Sequence, residues 1–263
     1  MKILINGCSH TAMNYIHWFD KEKTILNQPV LRPSWVSFLQ EKLKIKEYGN
    51  IYTNPNTYED FPSEYDGAFK NITTNKYLDL IKDSSFILSL ATDGKGNDSI
   101  LFDTLSTLRY CKKKNIEIDY VCVQWSGHSR RLVTSDKNDL DFANPHENYQ
   151  FGVNLEPSGS YITLQYMILL QDYLNENNIC YNFINYFPMD RKAIINNRNL
   201  YRELDTSKFI SYKKYHPVKD GWLDKIKNDN LAIDADGHPG KELMKIISDK
   251  VYKKIQKYNK NVI

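Results

Sequence analysis

Four short apolar runs, separated by segments of helical periodicity, constrain this chain more than any other feature. They are Lys2-Ile3-Leu4-Ile5-Asn6, Phe86-Ile87-Leu88-Ser89-Leu90, Ile118 to Trp125 and Ile179 to Ile184. Each is continuously apolar rather than alternating, the pattern of a strand buried on both faces. Between and after them lie amphipathic stretches. Ser34 caps a predicted helix with Trp35, Val36, Phe38, Leu39 and Leu43 on one face. Leu101, Leu105 and Leu108, with Ile100 beside them, mark a second helix by their i, i+4, i+7 spacing. A third opens at Ser158 or Ser160 and runs to about Asn175, with Leu164, Met167, Ile168, Leu170 and Tyr173 apolar. The last covers about Lys241 to Gln256, with Leu243, Ile246, Ile247, Val251 and Ile255 on its inner face. Tyr77 to Ile81 also reads as helical. Buried strands alternating with helices predict an α/β fold: a three-layer α/β/α sandwich around a parallel sheet of the flavodoxin-like kind.

No linker, repeat or composition break divides the 263 residues, so the expectation is one domain over 1–263. Three polar stretches, 47–75, 127–158 and 188–230, read as long loops, the last with one or two short helices. A net charge of +3 leaves no polyanion footprint, which argues against a nucleic-acid partner. No apolar run reaches the roughly 18 residues of a membrane span. The apolar stretch before Asn6 and Gly7 is too short for a signal sequence, so the expected location is cytoplasmic as synthesised, or within a virion if the chain comes from a phage. Cys8, Cys111, Cys122 and Cys180 form no CxxC pair and sit in apolar settings. They read as free buried thiols, with neither a disulfide framework nor a zinc site, and no metal or cofactor is expected. The abundance of Asn, Lys, Ile and Tyr is that of AT-rich codons and is read as a coding bias.

In a parallel sheet, ligands bind beyond the carboxyl ends of the strands. The segments that follow the predicted strands are Gly7-Cys8-Ser9-His10, Asp93 to Asp98 and Trp125-Ser126-Gly127-His128. Asp234-Ala235-Asp236-Gly237-His238-Pro239 precedes the last helix. Ser9 is placed to serve as a nucleophile whose own N–H also donates to an oxyanion. A plain helix-capping serine would look the same in isolation. A nucleophilic Ser needs a base and a carboxylate to orient it, and His238 with Asp236 supplies both. Gly94 and Asn97 complete an oxyanion hole, and Asn97 also fits a cap for the helix at residue 98. The Gly94-x-Gly96 pair is not a dinucleotide loop, because Ser99 stands where the third glycine belongs. The lysines at 253, 254, 257 and 260 read as the solvated face of a terminal helix.

The set Gly7-Cys8-Ser9-His10-Thr11, Gly94-Lys95-Gly96-Asn97-Asp98 and Asp236-Gly237-His238-Pro239 resembles the SGNH (GDSL-type) hydrolases, in particular the versions carried by bacteriophages. Val123 to Arg130 is similar to a strand-end motif of those phage versions. The resemblance implies a Ser-His-Asp triad of Ser9, His238 and Asp236, with an oxyanion hole from Ser9, Gly94 and Asn97. It implies hydrolysis of a small acyl ester, O-acetyl groups on a saccharide above all. Cys8 stands where the family has Asp. The usual acid spacing falls on Ala235, which leaves Asp236 as the acid and Asp234 in reserve. Two block assignments remain open. Gly94…Asn97 is the second family block and Trp125-Ser126-Gly127 the third, or Gly96-Asn97 is the third and Gly49-Asn50 the second. These irregularities also fit an SGNH fold without catalysis, serving as a virion or glycan-binding module.

Overall fold

In the computed structural model, residues 1–8, 11, 34–50, 78–79, 82–91, 95–128, 131–134, 140–143, 156–189, 191–211, 221–222, 229, 231 and 240–261 are described. The elements in chain order are β1 (Lys2–Asn6), α1 (Trp35–Leu43), β2 (Glu47–Asn50), β3 (Phe86–Ser89), α2 (Asn97–Lys113), β4 (Tyr120–Trp125), β5 (Arg131–Thr134) and β6 (Leu140–Ala143). They continue with α3 (Glu156–Glu176), β7 (Cys180–Asn185), α4 (Arg191–Asn196), α5 (Arg198–Glu203), a 3-10 turn (Thr206–Lys208) and α6 (Lys241–Asn261).

Five strands form one sheet in the order β2-β3-β1-β4-β7, and every neighbouring pair is parallel. β1 is therefore central, with Leu4 level with Leu88 on one side and Val121 on the other. A parallel bridge from Phe183 to Phe209 continues the sheet past β7, where the Ile210 N–H donates to the Phe183 carbonyl at 2.7 Å.

Side chains along the strands alternate between two buried layers, as the pleat demands. Ile3 and Ile5, Ile87, Tyr120, Cys122 and Ile184 pack with Trp35 and Leu39 of α1 and with Leu243, Ile247 and Val251 of α6. Leu4, Leu88, Val121, Val123 and Phe183 pack on the opposite side with Ile100 and Leu108 of α2 and Leu164, Met167 and Leu170 of α3. Each fully buried Leu or Ile contributes roughly 1.5–3 kcal/mol, so both faces need their helices. This is the α/β/α arrangement expected from the strand and helix alternation.

Helix ends follow local chemistry. The Ser34 hydroxyl oxygen accepts the Val36 N–H at 3.1 Å, the cap read from the sequence. α2 and α3 both stop at an asparagine in the left-handed region, Asn115 at φ 56° and Asn178 at φ 55°. The next residues, Ile116 and Ile179, donate back to the Cys111 and Leu174 carbonyls at 2.9 Å. Asn tolerates that conformation better than most residues, so part of the asparagine content has a structural use.

The structure corrects the sequence reading in three places. Residues 47–50, read as the start of a loop, form edge strand β2 against β3. Inside the stretch 127–158, β5 and β6 pair as an antiparallel hairpin, Leu132 opposite Phe142. α3 begins at Glu156, ahead of either serine. Short strands among polar residues lack the continuous apolar signature, which is why they escape a pattern search. Among the described residues, no helix is long and apolar enough to cross a membrane.

Candidate functional site at the carboxyl edge

After β1 the chain passes to β2 on one side of the sheet, and after β4 it passes towards β7 on the other. The carboxyl ends of β1 and β4 thus flank the crevice at which open α/β sheets bind ligands.

The turn after β1 is built with care. The Thr11 N–H donates to the Cys8 carbonyl at 2.8 Å. Gly7 is required there, because a Cβ would sit 2.4 Å from Thr11 Oγ1, 2.9 Å from Thr11 Cβ and 3.1 Å from Gln124 Cβ. Gln124, buried on β4, grips the turn from below. Its Oε1 accepts Thr11 Oγ1–H at 2.8 Å and Trp35 Nε1–H at 3.0 Å, and its Nε2 lies 3.9 Å from Cys8 Sγ. A polar side chain in an otherwise apolar strand is tolerated because its hydrogen-bonding groups are paired.

On the other face, Asn6 Nδ2 donates to the Ile100 carbonyl at 3.0 Å and to Thr104 Oγ1 at 2.9 Å. Its Oδ1 accepts the Gly7 N–H at 2.8 Å and Lys95 Nζ at 3.0 Å. Lys95 is fully buried. Its ammonium also reaches the Leu90 carbonyl at 2.7 Å and Asp103 Oδ2 at 2.5 Å. Burial pushes the Lys95 pKa down from 10.5, and the Asp103 carboxylate opposes that shift.

Asn97 is the first residue of α2, and the cap is Gly96, so the capping role read for Asn97 falls to its neighbour. The Asn97 side chain instead ties α2 to the end of β4. Its Oδ1 accepts the Ser126 N–H at 2.8 Å. Its Nδ2 faces the Ser126 and Gly127 carbonyls, both at 3.3 Å, and Thr163 Oγ1 of α3 at 3.1 Å. Both Gly96-Asn97 and Ser126-Gly127 follow strands that flank β1, whereas Gly49-Asn50 lie within edge strand β2.

His128, which follows β4, meets the segment that follows β7. Its Nε2 is 3.3 Å from the Phe187 carbonyl, which can only accept, so Nε2 carries the proton. Burial lowers its pKa from 6.5 to about 4, against a smaller upward pull from the Phe187 and Pro188 backbone. The ring is neutral at pH 7. Trp125 Nε1, Ser126 Oγ, His128 Nδ1 and Ser160 Oγ are buried with no hydrogen-bond partner among the described residues.

Of the residues read from the sequence as site candidates, Asn97 is described. Ser9, Gly94, Asp234, Asp236 and His238 lie outside the described residues, as does His10. Thr11, Lys95 and Gln124 fall within the motif segments and Asn6 beside one, but the motif reading gave none of them a role. A polar residue within or ending an apolar run, as Gln124 in Val-Cys-Val-Gln-Trp, is the signal that would have found Gln124 and Asn6, whereas Lys95 and Thr11 stand among polar residues. Among the described residues, no group of three or more His, Cys, Asp and Glu side chains could hold a metal ion. Cys8, Cys111 and Cys122 are buried and Cys180 is half-buried, and none of the four is in a disulfide. Burial raises the Cys111 thiol to about 12.

No family model and no curated protein matches the chain. Several solved structures superpose loosely over nearly its whole length. A lipase/acylhydrolase from Enterococcus faecalis is 9% identical with a TM-score of 0.47, covering 98% of this chain and 96% of that one. The lipase Lip_vut3 from a goat rumen metagenome is 11% identical with a TM-score of 0.47, covering 97% of each. The acetyl xylan esterase AlAXEase is 12% identical with a TM-score of 0.43, covering 96% and 98%. Superpositions this loose carry no argument about chemistry, and the α/β architecture stands on the observed strand order alone.

Proposed function

We propose that this protein is a serine-dependent ester hydrolase of the SGNH type, in one domain over 1–263. The observation that carries the reading is the bond from the Thr11 N–H to the Cys8 carbonyl at the carboxyl end of β1, with Ser9 in sequence between the two and Thr11 held by Gln124. Ser9 Oγ attacks the ester carbonyl while His238 takes its proton, and Asp236 fixes the His238 tautomer, with Asp234 the reserve acid. The Ser9 and Gly94 N–H groups and the Asn97 amide receive the negative oxygen. For Asn97 this means releasing its 3.3 Å contacts to the Ser126 and Gly127 carbonyls, which are at the long end of hydrogen-bond range. The alcohol leaves with the proton held by His238, and water attacks the acyl-enzyme by the reverse sequence. This chemistry needs no metal or cofactor. The substrate class is a small acyl ester, O-acetyl on a saccharide first among them.

The test is hydrolysis of p-nitrophenyl acetate and labelling by a fluorophosphonate probe. Ser9→Ala should abolish both, with a loss in kcat of about a millionfold for a working triad. Wild-type protein inert to a panel of short esters and to the probe would sink the reading.

One observation favours a second reading, a non-catalytic module of a virion or a glycan-binding protein. The Asn97 amide is wholly engaged with backbone carbonyls and Thr163. Binding of acetylated oligosaccharide without turnover, unchanged in Ser9→Ala, would support it.

A further inference from the structure

We propose that Lys95 is a positioning residue which sets the nucleophile turn against the loop of the oxyanion donors. The inference rests on the esterase reading above and extends it to a residue the triad does not use. The Lys95 ammonium has three N–H groups, and each has one acceptor: Asp103 Oδ2, the Leu90 carbonyl and Asn6 Oδ1. Two of these acceptors govern different pieces of backbone. Asn6 Oδ1 also holds the Gly7 N–H at 2.8 Å, two residues before Ser9. The Leu90 carbonyl and Lys95 bracket residues 91–94, so the bond between them closes the segment that contains Gly94. Leu90 is itself tied to β1, its N–H donating to the Ile5 carbonyl at 2.8 Å.

One buried cation thus joins the end of β1 to the end of β3. An apolar residue of the same length could fill the space but could not set this distance, because it would bond to neither carbonyl nor amide. Asp103 compensates the charge and anchors it to α2. A buried lysine is tolerated when its charge is paired and its donors are satisfied, as here.

The experiment compares Lys95→Met, Asp103→Asn and Asn6→Ala by p-nitrophenyl acetate kinetics, fluorophosphonate labelling and thermal melting. Hydrogen exchange of peptides spanning 3–11 and 86–97 is measured in parallel. In Lys95→Met, kcat and the labelling rate should fall on the order of 100-fold, with KM within about threefold of wild type, as for a misplacement near 1 Å. Exchange should rise in both peptides together. Asn6→Ala, which removes the Lys95 link to β1 together with the Asn6 bonds to Gly7, Ile100 and Thr104, should lose about tenfold in kcat. Asp103→Asn leaves the ammonium its other two acceptors and should keep kcat within a few-fold while melting earlier.

A folded Lys95→Met with wild-type kcat would overturn the proposal. If Lys95→Met does not fold, Asn6→Ala decides by the same criterion. A loss in Asp103→Asn equal to that in Asn6→Ala would mark general loosening and overturn it as well. Wild-type protein that neither hydrolyses esters nor takes the probe defeats the esterase reading alone. The exchange data then decide whether Lys95 couples the two segments, and a rise confined to one peptide, or no rise, overturns the coupling.

Discussion

The two ends of the sheet spend their buried polar groups differently. At the amino end of β4, the Tyr120 hydroxyl donates to Asn182 Oδ1 at 2.5 Å across the strand pair, and Asn182 Nδ2 donates to the Lys208 carbonyl at 2.6 Å. The Tyr258 ring of α6 packs on Tyr120 at 5.9 Å between centroids. Lys208 sets its ammonium 4.9 Å from the Tyr181 ring, where a cation meets π-electrons without being buried among carbonyls. These contacts join strand to strand and sheet to terminal helix. At the carboxyl end, Asn6, Gln124, Lys95 and Asn97 reach past the strands to hold loop backbone or the residues that bracket it. One of the four is a fully buried cation. A fold needing only stability would not place a cation there, since a well-packed apolar group of similar size is commonly as stable or more so. The carboxyl network is what a sheet requires when its loops must be held in fixed positions.

Acid should separate the two ends most strongly. His128 has a pKa near 4 in the fold and 6.5 as its ordinary value. Between those values the unfolded chain binds a proton that the folded chain refuses. Stability therefore falls as pH drops below 6.5, and the loss is complete below 4. The shift corresponds to about 3 kcal/mol from this group. Urea unfolding from pH 7 to pH 4 should show that loss in wild type, and His128→Gln should lack it. An equal slope in both proteins would place the acid sensitivity elsewhere.

A smaller effect is expected from Gly7→Ala. The added methyl meets Thr11 Oγ1 and Cβ, and Thr11 is held by Gln124, so the turn must shift rather than the side chain. Overpacking of this kind costs about 2 kcal/mol. Fluorophosphonate labelling should slow by more than the loss of folded protein explains. A variant that melts like wild type and labels at the wild-type rate would show the close approach to be incidental.

What the sequence disclosed follows the same division. The apolar runs at 2–6, 86–90 and 118–125 and the Ser34 cap were legible because burial and capping act locally, residue by residue. β2 and the β5–β6 hairpin were not, because Glu47 to Asn50 carries no apolar signal and exists as a strand only through pairing with β3. The site divides likewise. A motif marks residues by their spacing, and Asn97 was found in that way. Lys95, Asn6 and Gln124 also make contacts across 89 to 116 positions of sequence, from Lys95 to Asn6 at a separation of 89 to Gln124 and Cys8 at 116. No local pattern encodes a bond of that span. Only the polarity of Asn6 and Gln124 beside apolar runs hints at it, and Lys95, among glycines and polar residues, carries no such hint.

The smallest effect tests whether the amino end is as purely structural as its contacts imply. Tyr120→Phe removes the hydroxyl that donates to Asn182 Oδ1 and leaves the ring packing intact. Asn182 keeps its bond to the Lys208 carbonyl. The loss should therefore be near that of one hydrogen bond, about 1 kcal/mol in urea unfolding. Ester hydrolysis and probe labelling should stay within twofold of wild type, because Tyr120 lies at the opposite end of β4 from Gln124 and Ser126. A clear fall in kcat at unchanged stability would mean that the strand transmits displacement along its length. The two ends would then be one mechanical unit rather than a closure and a platform.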